Sequence, residues 1–203
     1  MEEEKGDIKS PIWLIGDSPP KRYEDVKHPF DTRHPAVHNI WTPIAYKIQS
    51  KIYKEKSIFF DIDDDNKRYI LNAVTGSDIK PKDNAFEWDN AELDSQLRKM
   101  THLIKNYKPA MIITFGAFAF EFIRRCDDSD SIKYRKYGYW GAKNLGKCFL
   151  AAIEKKRIVS LLHISISYKW LSSHRQFTND NDGNYFDFVS DKLYPRFIEI
   201  YKI

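Results

Sequence analysis

Residues 11–20 read Pro-Ile-Trp-Leu-Ile-Gly-Asp-Ser-Pro-Pro. Four consecutive apolar residues, Ile12 to Ile15, predict a strand buried on both faces, as strands of parallel sheets are. Gly16 ends the run, and Asp17-Ser18-Pro19-Pro20 makes a stiff polar turn at its carboxyl end. Open parallel α/β sheets bind ligands at the carboxyl ends of their strands. A carboxylate and a hydroxyl held there are therefore candidate site groups. Turn geometry alone would also account for glycine and proline at these positions.

The same pattern recurs along the chain. Apolar runs at 69–74, 110–115 and 158–162 predict three more buried strands, the last running into His163. Helical spacing joins Ile40, Trp41, Ile44, Ile48 and Ile52 over residues 39–53. It also joins Leu93, Leu97, Met100 and Ile104 over 90–107, and Phe186, Val189, Leu193, Phe197 and Ile200 over 185–200. A short helix is expected at 117–125, and Pro195 is expected to kink the last helix. Strand and helix alternate, which predicts a three-layer α/β/α sandwich around a central, mainly parallel four-stranded sheet. Residues 1–10 read as a flexible acidic tail and 11–203 as a single domain. Two segments break the rhythm. One is the long loop 19–38, which carries His28, Phe30, Arg33, His34 and His38, and loops of this length are commonly functional. The other is an insert at 126–156.

Composition narrows the function. With 203 residues the chain suits one α/β domain, and a net charge of +4 argues against a general polyanion-coating role. Two cysteines, Cys126 and Cys148, cannot build a four-cysteine zinc or iron–sulfur site and read as reduced thiols. Asp61, Asp63 and Asp65 alternate like a calcium loop, but the sixth position is Asn66 rather than glycine and the twelfth is Asn72, so no metal is expected. The stretch 57–68 otherwise reads as a strand followed by an acidic turn. The first ten residues lack the basic and apolar regions of a signal peptide and no run approaches the length of a membrane span, so a cytoplasmic monomer is expected.

In this order and spacing the motifs resemble those of the uracil-DNA glycosylase superfamily. Gly-Asp-Ser-Pro-Pro at 16–20 resembles its first motif, Gly-x-x-Pro. Leu-Asn-Ala-Val at 71–74 resembles the strand whose asparagine reads the base, and His-Ile-Ser-Ile-Ser at 163–167 the second motif, His-Pro-Ser-Pro. Residues 29–41, Pro-Phe-Asp-Thr-Arg-His-Pro-Ala-Val-His-Asn-Ile-Trp, are similar to the pocket-lining segment of the mismatch-specific thymine/uracil branch. Met-Ile-Ile-Thr-Phe-Gly at 111–116 fits the third strand and its small-residue turn. The chain also departs from the pattern. Ser18 stands where several branches carry Asp or Asn, and Asp17 lies one position earlier. Ile164 and Ile166 replace the two prolines of the second motif, and the cysteines of the iron–sulfur branches are absent.

The resemblance implies a monofunctional DNA glycosylase that flips a base out of DNA and hydrolyses its N-glycosidic bond without metal or cofactor. The base would be uracil or a modified pyrimidine, with room for a bulky one such as phage DNA carries, in repair or in antiviral defence. Asp17 would stabilise the oxocarbenium-like sugar and position water, and His163 would donate to the departing base. Asn72 and Ser18 would contact the base edge, and Phe30 or Trp41 would stack on it. Amides after Pro19, with Ser165 and Ser167, would hold phosphates, and Tyr168, Trp170 or Leu171 would fill the vacated stack. In the insert, residues 131–147 carry five cations and no acid. They read equally as a DNA-contacting hairpin, through Lys133, Arg135 and Lys136, or as a solvated cover of the sheet edge. In the first reading Tyr137 or Trp140 would wall an enlarged pocket. Two other functions fit the same residues: a DNA-binding module that has lost the chemistry, and a nucleoside hydrolase.

Overall fold

A computed structural model describes the chain except residues 1–3, 21–25, 27, 35, 82–87, 128–133, 155, 167–170 and 180–183. The described strands are β1 (Lys5–Gly6), β2 (Ile12–Gly16), β3 (Tyr69–Asn72), β4 (Met111–Phe115) and β5 (Ile158–Leu161). They form one sheet in the order β1-β3-β2-β4-β5, parallel except for β1. The helices are α1 (Trp41–Lys56), α2 (Ala91–Tyr107), α3 (Ala117–Cys126), α4 (Ala142–Ala152), α5 (Leu171–Thr178) and α6 (Tyr185–Tyr201). The path from β2 to β3 runs one way along the sheet, and the path from β3 to β4 runs the other. Right-handed crossovers then place α1 and α2 on opposite faces, giving the α/β/α sandwich. α1 packs against α6 and α2 against α3, while α4 packs on the edge strand β5 and against α5. Lys47 and Lys51 of α1 form ion pairs with Asp187 and Asp191 of α6.

The central strands are as apolar as their sequence requires. Every residue of β2 and β4 is buried. Leu93, Met100 and Ile104 of α2 and Val189, Leu193 and Phe197 of α6 face the core at the expected spacing. The Asn90 side chain accepts from the Glu92 and Leu93 amides and so caps α2, and Asn184 does the same for α6 through the Phe186 amide.

Several expectations are corrected. The sheet has five strands, because residues 5–6, read as part of a flexible tail, pair with β3. The Asp7 amide donates to the Asp65 and Arg68 carbonyls, and Ser10 Oγ donates to the Lys67 carbonyl at 2.5 Å, fastening the segment that follows. The strand expected near residues 57–61 is absent, since the acids satisfy local turns instead of a ladder. Asp61 accepts from the Asp63 amide, Asp64 accepts from the Asn66 amide and pairs with Lys67, and Asp63 pairs with Arg68. Residues 134–147 are not a hairpin. A 3₁₀ turn at Tyr137–Tyr139 leads into α4, which buries Leu145, Phe149 and Ala152. α5 was also not expected. Cys126 is buried with its thiol donating to the Leu97 carbonyl, and Cys148 is half-buried.

Candidate functional site

β2 is the strand at which the sheet reverses its direction of winding, and the crevice at such a reversal is where this class of sheet binds ligands. Asp17 leaves the end of β2, and Asn72 ends β3 directly opposite Gly16 in the register. The pairing runs on past the strands: the Ala73 amide donates to the Gly16 carbonyl and the Val74 amide to the Asp17 carbonyl. These bonds fix the backbone under Asp17. A Cβ on Gly16 would stand 2.5 Å from Asn72 Oδ1 and 2.5 Å from Pro29 Cβ. Glycine is required there because the asparagine and the long loop both close onto its backbone.

His163 follows β5, and a second glycine makes room for it. Gly116, at φ +96°, turns β4 into α3 while its amide donates to the Leu161 carbonyl. A Cβ there would lie 2.8 Å from His163 Cδ2. The Ser165 amide donates to His163 Nδ1 at 3.2 Å, and Ser165 Oγ lies 2.7 Å from the same nitrogen. A backbone N–H can only donate, so Nδ1 is the acceptor and the neutral ring carries its proton on Nε2. Nε2 faces Asp17 Oδ2 at 3.8 Å, beyond hydrogen-bond reach. Burial pushes the His163 pKa below 6.5; Asp17 opposes this, while Lys80 and His34 add to it. This shift favours the neutral ring, with Nε2–H as its donor.

Asp17, Ser18, Pro19, Asn72, His163 and Ser165 all line one cavity of about 260 Å³. The long loop contributes Pro29, His28 and His34, fixed by a run of turns in which Asp31 accepts from Arg33 Nε at 2.9 Å. A second cavity of about 110 Å³, between β3 and α2, shares Pro19, Val26 and Asn72 with the first. Among the described residues no three His, Cys, Asp or Glu side chains are grouped to hold a metal ion.

The sequence reading missed Lys80. Its ammonium donates to Asp17 Oδ2 at 2.9 Å and lies 2.7 Å from Oδ1. It also sits 5.0 Å from the centre of the Phe118 ring and 5.9 Å from that of Tyr137. No local motif marks it. Its loop position eight residues beyond Asn72 reveals nothing until the fold returns that loop to the end of β2.

The other expected residues lie as follows. Phe30 and Trp41 are buried in a cluster with Phe115, with Phe30 edge-on to Phe115 at 5.1 Å. Neither lines the cavity, although Pro29 beside Phe30 does. Trp41 Nε1 donates to Asp63. Arg135 and Lys136 are exposed, and Arg135 stacks over Tyr139. Lys133, Ser167, Tyr168 and Trp170 lie outside the described residues. Trp140 does not wall the pocket: it is buried and donates through Nε1 to Glu121. Tyr137 packs edge-on against Phe118 at 5.7 Å, on the ring that Lys80 also contacts.

The family model of the uracil DNA glycosylase superfamily matches residues 3–186. The chain belongs to the uracil-DNA glycosylase superfamily. Membership carries a DNA glycosylase-type function with DNA as its substrate class. Comparison with curated proteins returns no match. Among the described residues no helix is long and apolar enough to cross a membrane.

Proposed function

We propose that this superfamily member removes uracil or a substituted pyrimidine from DNA by hydrolysing the N-glycosidic bond of a flipped-out nucleotide. The observation that carries the reading is that Asp17, Asn72 and His163, from three different strand ends, line one cavity. Breaking the bond leaves positive charge on the sugar and negative charge on the base. A largely buried carboxylate, 10% exposed, meets the first need, and an Nε2–H donor meets the second. The neutral state of His163 allows it to donate to a pyrimidine oxygen without forming a fixed ion pair with Asp17. The Asn72 amide offers one donor and one acceptor side to the base edge. Ser18 and Ser165 line the cavity as hydroxyl groups able to meet the flanking phosphates, and Arg135 and Lys136 add exposed positive charge. The smaller cavity behind Asn72 supports a base larger than uracil, because a ring substituent has space to extend into it.

Mass spectrometry of bases released from duplexes carrying uracil, mismatched thymine and a panel of substituted pyrimidines tests this. The expected result is release of one free pyrimidine from one of these duplexes. Binding to these duplexes without release of any base would refute the reading and leave a DNA-binding module of the same fold.

A further inference from the structure

We infer that Lys80 forms a Schiff base with the abasic product and cuts the strand by β-elimination, so that the protein is a glycosylase with a lyase step. The inference rests on the reading of Asp17 as the carboxylate that faces C1′. A nucleophile directed at C1′ by that carboxylate must sit within hydrogen-bond distance of it. The group that holds this place is a primary amine: Lys80 Nζ, 2.7 and 2.9 Å from the two Asp17 oxygens and lining the same cavity as Asn72 and His163. The Phe118 and Tyr137 rings flank the ammonium and hold it in the cavity. Lysine amines condense with carbonyl substrates once deprotonated, and Asp17 is within reach to take that proton. The abasic sugar in its ring-opened form presents a carbonyl at C1′.

The chemistry balances with the groups present. Asp17 takes a proton from the ammonium, and the neutral amine adds its electron pair to C1′, forming the C–N bond and a carbinolamine. Asp17 returns the proton to the hydroxyl, which leaves as water, giving an iminium ion. The carboxylate then removes a proton from C2′, and the resulting enamine expels the 3′-phosphate as the C3′–O bond breaks. Asp17 passes that proton to the departing phosphate. Water hydrolyses the conjugated iminium, freeing Lys80 and an unsaturated aldehyde at the 3′ end of the upstream fragment. One carboxylate and one amine carry every proton, and no oxidant or metal takes part.

The test uses a duplex with a preformed abasic site, so that it does not depend on base release. Borohydride added during incubation reduces the iminium to a stable amine, and a covalent protein–DNA band on a denaturing gel is the expected result. Peptide mapping of the wild-type adduct should place the attachment on Lys80. Lys80→Arg, which keeps a cation beside Asp17 but cannot condense in this way, should lose the band. No adduct from the wild-type protein, or an adduct mapped to another amine, would overturn the inference. Base release without an adduct would remove the lyase step and leave the glycosylase reading standing. An adduct without base release would do the reverse.

Discussion

Glu121 decides whether the segment after α3 stays attached to the domain. Its side chain is fully buried and each carboxylate oxygen accepts two hydrogen bonds. Oε1 takes Arg125 Nε at 3.1 Å and the Arg135 amide at 2.7 Å; Oε2 takes Arg124 Nη1 and Trp140 Nε1, both at 2.7 Å. The two guanidinium side chains are only 3% and 7% exposed, so their ion pairs with the carboxylate are formed largely out of water. Glu121→Gln keeps the shape but turns one acceptor oxygen into an NH₂ group facing two donors. It removes the negative charge from both buried pairs, and breaking a buried pair on one side costs about 3–5 kcal/mol. Against a total stability of about 5–15 kcal/mol this is a large fraction. With a urea m-value of about 2–3 kcal/mol per molar, the midpoint should fall by about 1–2 M. Because the segment carries Tyr137 against the Lys80 side of the cavity, base release should also fall under conditions where the variant remains folded. Urea titration followed by tryptophan fluorescence measures the first effect. A loss below about 1 kcal/mol, within the range of ordinary surface changes, would refute the claim that Glu121 anchors the segment.

The remaining predictions concern the site and its pH dependence. Gly116→Ala should cost about 1–3 kcal/mol, because its φ of +96° is strained for any other residue. It should also lower base release, because the new methyl group would meet His163; a folded variant with full activity would contradict the packing described. Asn72→Asp should change which base is released or abolish release, and a mass-spectrometric product profile identical to wild type would remove Asn72 from base reading. Burial lowers the pKa values of His28, His34, His163 and His174 below 6.5. The unfolded chain therefore binds more protons than the folded chain as pH falls below 6.5, and stability is lost in that window. Thermal melts from pH 7.5 to 5 should show a falling midpoint, and a flat or rising one would contradict the burial of these rings.

The sheet was legible because a strand buried on both faces must be a continuous apolar run, and four such runs end in polar or glycine residues. Asp17, Asn72 and His163 were legible for the same reason, since each ends or directly follows one of these runs. β1 was missed because two residues bonded only through their backbone leave no side-chain pattern. α4 did leave one, with Leu145, Phe149 and Ala152 at helical spacing, but the surrounding cations and glycines read as a hairpin. The acids at 61–65 were legible as a turn, but the apolar residues before them read as a strand, although Ile58 and Phe59 are exposed and join no ladder among the described residues. Lys80 could not be found by spacing at all. Its meeting with Asp17 is made by the fold, 63 residues apart in the chain.

The central claim is that Asp17 acts on the sugar while the bond breaks, not on the binding of DNA. Single-turnover base release by Asp17→Asn, measured beside the wild type on the same duplex, tests it most directly, with affinity taken from anisotropy titrations of the two proteins. Loss of a charge that acts only in the transition state should slow release by about 10²-fold or more and leave affinity nearly unchanged. Release at the wild-type rate would contradict the claim and move the chemistry to another residue of the cavity.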